Sequence, residues 1–277
     1  MWCDTLPKRQ IQTPPIQEAR GPYRSTTTKI SHYNKPMHIE TLEKPNLKKV
    51  KMNVDDVIDD KLLKYPMVED LFSRTSFNVI LGKMGQGKTS LITNLVKTVF
   101  KKAFEHIIVF IPSGSRRSIE NDIYGKQLPA ADLYETLTEE NLDEVIEKLE
   151  ESSEEGENTL LIIDDFQAAL KDPDVLARLQ KIVTRMRHMR VTIFILQQNF
   201  QKMAKFLREL VTNVITFNVG KSQLNKLFEE TVQIDKDKYQ ALVDLAFVEK
   251  NDWIAINVNG NRNIYKGFDR IVFDDEK

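Results

Sequence analysis

The run Gly82-Lys-Met-Gly85-Gln86-Gly87-Lys88-Thr89-Ser90 carries the spacing G-x-x-x-x-G-K-[ST]. That spacing serves one chemistry. Glycines let successive backbone N–H groups curl around a phosphate, and a following helix N-terminus adds positive potential. Gly82, Gly85, Gln86, Gly87, Lys88, Thr89 and Ser90 would form the nucleotide cradle. Within it, the Lys88 ammonium would reach the β- and γ-phosphates and the Thr89 hydroxyl would bind Mg²⁺. About 75 residues later, Leu160-Leu-Ile-Ile163 runs into Asp164-Asp165. Four apolar residues followed by two acids is the Walker B pattern. Asp164 would hold Mg²⁺, and Asp165 would accept a proton from the attacking water or orient it. A third polar group, Gln197-Gln198-Asn199, closes the apolar run VTIFIL. An amide there can sense a γ-phosphate, and Gln198 is favoured over Gln197 for that role.

The cations are less specific. Arg185, Arg187 and Arg190 precede that run, Arg178 and Lys181 lie upstream, and Arg208 follows it. They read as a basic helix end matching the helix dipole, as an arginine finger offered to a neighbouring subunit, or as a stripe facing DNA phosphates. His188, in the same block, has the company of neither a metal site nor a nucleophile triad.

These groups need a scaffold, and the apolar pattern supplies one. Phe77–Leu81 and residues 106–111, 159–163, 191–196 and 213–218 are short apolar runs of the kind buried on both faces. Between them, residues 89–103, 139–151, 173–188 and 201–210 carry helical spacing or helix-start signals. Residues 139–151 form a strongly acidic amphipathic helix, read as a solvated face. Helices are expected near 222–230 and 235–248, and a hairpin around Asn259-Gly260. Alternating strands and helices predict an α/β fold with a mostly parallel sheet. The phosphate loop then falls between a strand and a helix, which is the context its chemistry requires.

Residues 1–52 differ. They hold six of the ten prolines, and residues 1–53 carry ten Lys and Arg against four Asp and Glu. Such a stretch buries too little to offset chain entropy, so it reads as a flexible basic N-terminal arm, either solvated or docked on a partner. The P-loop domain is expected over 53–277, with a core at about 77–218 and a C-terminal extension at about 219–277.

Composition sets the outer bounds. The chain has 277 residues, 41% apolar and 29% charged, which excludes disorder throughout. No apolar run approaches ~18 residues, so no membrane insertion is expected. A single Cys, Cys3, allows neither an internal disulfide nor a Cys cluster for zinc, which suits a reducing intracellular compartment. The net charge of −1 means that any nucleic-acid surface must be local.

The blocks GKMGQGKTS after FNVIL, LLIIDD, and Arg187-His-Met-Arg-Val-Thr-Ile-Phe-Ile-Leu-Gln-Gln198 resemble the FtsK–HerA superfamily of P-loop ATPases. Within it the chain is most similar to the poxvirus-type DNA-packaging ATPases of large double-stranded DNA viruses and virophages. The likeness spans residues 77–217. It implies a RecA-like core, ATP and Mg²⁺ as cofactors, and a homo-oligomeric ring, often a hexamer. It further implies double-stranded DNA as cargo, capsid or vertex proteins as partners, and the viral assembly site or the virion as location. Lys88, Asp165, Gln198 and Arg187 would be catalytic, with Arg187 at the subunit boundary, and Thr89 and Asp164 would hold the metal. Two departures stand out: Asp165 replaces a common Glu, and the DNA-binding appendages of larger translocases are missing. The competing classes are another P-loop enzyme, such as a helicase or loader, and a nucleotide-dependent switch that hardly hydrolyses.

Overall fold

Both faces of the apolar runs are covered, as a parallel sheet between helical layers requires. The computed structural model describes residues 37–40, 66–72, 75–100, 103–117, 119, 123–232, 235–259 and 263–273, all within one unit, Lys35–Lys277. Its strands are β1 (Met37–Glu40), β2 (Phe77–Leu81), β3 (His106–Phe110), β4 (Leu133–Tyr134), β5 (Thr159–Asp164), β6 (Val191–Gln197), β7 (Asn213–Phe217), β8 (Trp253–Asn257), β9 (Ile264–Lys266) and β10 (Asp269–Phe273). Helices α1 (Pro66–Leu71), α2 (Lys88–Leu95), α3 (Ser113–Arg117), α4 (Ile123–Gln127), α5 (Glu139–Glu154), α6 (Pro173–Arg185), α7 (Lys205–Leu210), α8 (Lys221–Thr231) and α9 (Lys238–Ala246) connect them.

One sheet runs in the order β1-β10-β9-β8-β7-β2-β6-β5-β3-β4. The six strands from β7 to β4 are parallel, and the four on the other side are antiparallel. Alternate residues of each central strand enter opposite cores. Val79, Ile163 and Ile195 point to the side of α5, α6 and α8, whereas Ile80, Ile162 and Leu196 meet α1 and α2. Each fully buried Leu, Ile or Phe contributes about 1.5–3 kcal/mol, so these two layers fix the register of the sheet.

Local signals set the helix starts. Asp172 caps α6 by accepting from the N–H groups of Asp174 (2.9 Å) and Val175 (3.4 Å), with Pro173 at the first helical position. Thr138 caps α5 by accepting from Asn141 N (3.3 Å). The helix expected over 89–103 is α-helical only to Leu95 and continues as a π-helix over Val96–Phe100. Phe100 there meets Phe72, Phe104 and Phe194. The acidic face of α5 is not merely solvated: Arg178 pairs with Glu139 and Asp143, and Lys181 and Arg185 pair with Glu150. Three cations of the expected basic stripe are therefore engaged by a neighbouring helix.

At the C-terminal end, β8 and β9 form the hairpin expected there, although Gly260 of its turn lies outside the described residues. Besides the two-residue β4, two further strands had no signal in the sequence. β10 extends the hairpin, and β1 pairs antiparallel with β10 from Met37↔Phe273 to Glu40↔Arg270. β1 falls inside the stretch read as a flexible arm, whose remaining residues lie outside the described ones. Among the described residues no helix is long and apolar enough to cross a membrane.

Candidate active site at the parallel strand ends

β6 lies between β2 and β5, and this order brings three separated sequence blocks to one edge. Leu81 is level with Gln197, and Asp164 with Leu196. The phosphate loop, the acid pair and the amide therefore leave neighbouring strand ends at the same height. Between them is a cavity of about 300 Å³ lined by Gly85, Gly87, Lys88, Thr89, Ser90, Met84, Ser115, Asp164, Asp165 and Gln198.

The loop adopts its turn because Gly85 and Gly87 supply φ values of +74° and +99°, which are costly for residues with a Cβ. Gly87 then starts α2, whose N-terminus faces the cavity. Gln86 does not line the cavity. Its Oε1 accepts from Lys83 N (2.5 Å) and its Nε2 donates to Asn218 O (2.8 Å), so the side chain ties the loop to the end of β7. Gly82 lies behind the loop, where a Cβ would come within 3.0 Å of Lys88 Cγ and 3.1 Å of Phe217. Lys88 Nζ donates to Gly82 O (2.8 Å) and Lys83 O (3.3 Å). Burial pulls the Lys88 pKa below its usual value, while Asp164 and Asp165 oppose that shift.

The two acids sit in different surroundings. Asp164 is 2% exposed and accepts from Thr89 Oγ1 at 2.6 Å. Burial raises its pKa from 3.8 to about 6; the Thr89 hydrogen bond and Lys88 pull the other way, and Asp165 adds to the rise. Between those two values the native protein binds a proton that the unfolded chain releases, so stability falls as pH rises through that window. The ionised carboxylate therefore costs up to ~3 kcal/mol at neutral pH. Asp164→Asn keeps an acceptor for Thr89 and is expected to raise the Tm of the ligand-free protein at pH 7 by about 4–8 °C. The gain should vanish near pH 3, below both pKa values. Calorimetry at the two pH values checks this, and an unchanged Tm at pH 7 contradicts it.

Asp165 is exposed and takes a left-handed φ of +65°, a conformation Asp tolerates better than most residues. Its Oδ2 accepts from Ser115 Oγ (3.0 Å). Ser115 went unrecognised in the sequence, where Pro112-Ser-Gly114 reads only as the close of a strand. Its one available signal was position, at the end of a strand that pairs with the Walker B strand. Of the two glutamines, Gln198 lines the cavity. Gln197 is 3% exposed, and its backbone O accepts from Gly82 N (3.1 Å).

The arginines are not brought to this cavity. Arg187 is exposed in the turn before β6, at the opposite end of that strand, about 20 Å of extended backbone away. Arg190 shares that turn with φ +48° and a buried Nε that has no hydrogen-bond partner. Arg208 donates to Gln201 Oε1 (2.9 Å), lies 3.6 Å from Glu230 and stacks over Phe200. It lines a second cavity of about 350 Å³.

A phosphate loop and an acid pair separated by one intervening strand, on a parallel sheet layered by helices, define a P-loop NTPase of the RecA-like type. The model of the family described as Poxvirus A32 protein matches residues 67–264, well over half of the chain. The chain belongs to the poxvirus A32 protein family, the kind of family to which the three sequence blocks pointed. No curated protein sequence matches it significantly. Among solved structures it is similar to the genome packaging NTPase B204 from Sulfolobus turreted icosahedral virus 2. The AMPPCP complex of that protein aligns at a TM-score of 0.53 and 14% identity, over 70% of this chain and 97% of that one. The AMP complex gives 0.52 and 14% over 70% and 98%, and the ATP-gammaS complex 0.51 and 15% over the same shares. At that identity the likeness concerns the fold.

Proposed function

We propose that the chain is an ATP-driven motor that moves double-stranded DNA into a preformed viral capsid, working as a homo-oligomeric ring. The observation that carries this reading is the cavity that Lys88, Thr89, Asp164, Asp165 and Gln198 share, in a chain of the poxvirus A32 family. The described likeness to a genome packaging NTPase supports the same reading.

In this mechanism the N–H groups of the loop and the α2 N-terminus hold the phosphates of ATP. Lys88 Nζ leaves Gly82 O and Lys83 O for the β- and γ-phosphate oxygens. The hydroxyl of Thr89 and the carboxylate of Asp164, already within 2.6 Å of each other, are hard oxygen donors and suit Mg²⁺, which takes one or two carboxylates plus phosphates. When bound, Mg²⁺ neutralises phosphate charge. Asp165 takes a proton from the attacking water as the β–γ bridging bond breaks, giving ADP and inorganic phosphate. Gln198 orients that water, and its strand carries the change outward.

Arg187 enters only from a neighbouring subunit, since its own cavity lies at the far end of β6. Mixing Arg187→Ala subunits with Lys88→Ala subunits is therefore expected to restore part of the hydrolysis that each variant lacks alone. No restoration at any mixing ratio contradicts a finger acting in trans. Transport itself is tested by displacement of a third strand from a duplex. ATP-dependent displacement is expected, and ATP turnover without displacement would favour a different P-loop enzyme.

A further inference from the structure

The side chain of Asp165 is exposed, and a carboxylate on two rotatable bonds does not hold one orientation by itself. It is also one methylene shorter than a glutamate, so it has less reach with which to correct a misplaced approach. A group that accepts a proton must stay within hydrogen-bond reach of the water it activates. Something has to aim it. One candidate lies on the helix that follows the strand beside its own.

β3 pairs with β5 in parallel, Phe110 opposite Ile163, so the segments leaving both strands emerge side by side. Asp165 follows β5, and α3 follows β3. The third residue of α3, Ser115, donates its hydroxyl to Asp165 Oδ2 at 3.0 Å. Both residues line the same cavity. α3 is itself anchored: Arg116 N donates to Pro112 O (2.9 Å), and the Arg116 guanidinium lies 3.4 Å from Glu135, just beyond β4. With Oδ2 engaged, Oδ1 is the oxygen left to receive a proton.

We infer that Ser115 is a positioning residue for hydrolysis: its hydroxyl fixes the Asp165 carboxylate so that the free oxygen faces the attacking water. This rests on the reading of Asp165 as the base. As a positioning residue Ser115 acts on the chemical step through Asp165. Its loss therefore affects the chemical step and leaves nucleotide binding as it was. A displacement of the base by a fraction of an ångström to 1 Å is worth about tenfold to a hundredfold in rate.

The test is single-turnover ATP hydrolysis by the full chain, beside the affinity for a fluorescent non-hydrolysable ATP analogue. Ser115→Ala is expected to slow hydrolysis about tenfold to a hundredfold with affinity unchanged within twofold. Ser115→Thr, which keeps the hydroxyl, should recover to within about threefold of the natural rate. In the Asp165→Asn background, Ser115→Ala should cost less than twofold, since the group it positions no longer acts. Hydrolysis by Ser115→Ala at or above the natural rate overturns the inference. So does an equal loss in both backgrounds, or a loss that Thr does not repair. The Asp165→Asn rate separates the two claims. If that variant turns over normally, the base assignment fails along with the inference. If it is inactive while Ser115→Ala is unaffected, only the inference fails.

Discussion

Lys88→Ala is expected to lower ATP turnover by about a thousandfold or more, below the detection limit of a steady-state assay. The side chain supplies the cation that sits between the loop carbonyls of Gly82 and Lys83 and the carboxylates of Asp164 and Asp165. At a part-buried position such as that of Lys88, a fixed positive charge is worth more to a developing phosphate charge than it would be in bulk solvent. The strand, the turn and α2 do not depend on this side chain, because Gly85, Gly87 and the Gln86 brace set the loop. The variant should therefore fold and lose hydrolysis. Colorimetric phosphate release beside a thermal melt checks both halves. Turnover within tenfold of the natural protein would remove the phosphate-loop assignment.

Asp165→Asn should separate binding from hydrolysis. Asn tolerates the left-handed φ of +65° as Asp does, and its Oδ1 still accepts from Ser115. What it cannot do is take a proton. Losing a general base costs about 10²–10⁴ in rate. The variant is expected to bind ATP and retain it unhydrolysed, because Lys88, Thr89 and Asp164 are untouched. Filter retention of labelled ATP and thin-layer analysis of the retained nucleotide give the readout. ADP formed at the natural rate would show that another group activates the water.

The parts of the site that were legible in the sequence are those written in consecutive residues. A glycine-spaced loop, four apolar residues before two acids, and an amide after an apolar run each have a local cause, and each lies at a strand end. What stayed hidden depends on pairing across the chain. Nothing local says that β6 inserts between β2 and β5, although that order alone makes the blocks meet. Ser115 reaches Asp165 across 50 residues of sequence, and no spacing rule encodes the contact. Gln86 sits inside the motif, yet its side chain turns away to Asn218 because the end of β7 offers a carbonyl there. β1 was hidden for the same reason: its four residues pair with β10, more than 200 positions later, in a stretch whose composition is that of a tail. Arg208 reads in the sequence as one of the candidate finger arginines, and only the fold shows Gln201 and Glu230 beside it.

Steady-state ATP hydrolysis with and without duplex DNA, at low and moderate salt, decides whether the chain is a DNA-driven motor. A motor that grips the phosphate backbone should hydrolyse faster with duplex, and the stimulation should fall steeply as salt rises, because each neutralised phosphate releases a counterion. Single-stranded DNA should stimulate less. Turnover that ignores duplex DNA at every salt concentration would contradict the account of a DNA-driven motor.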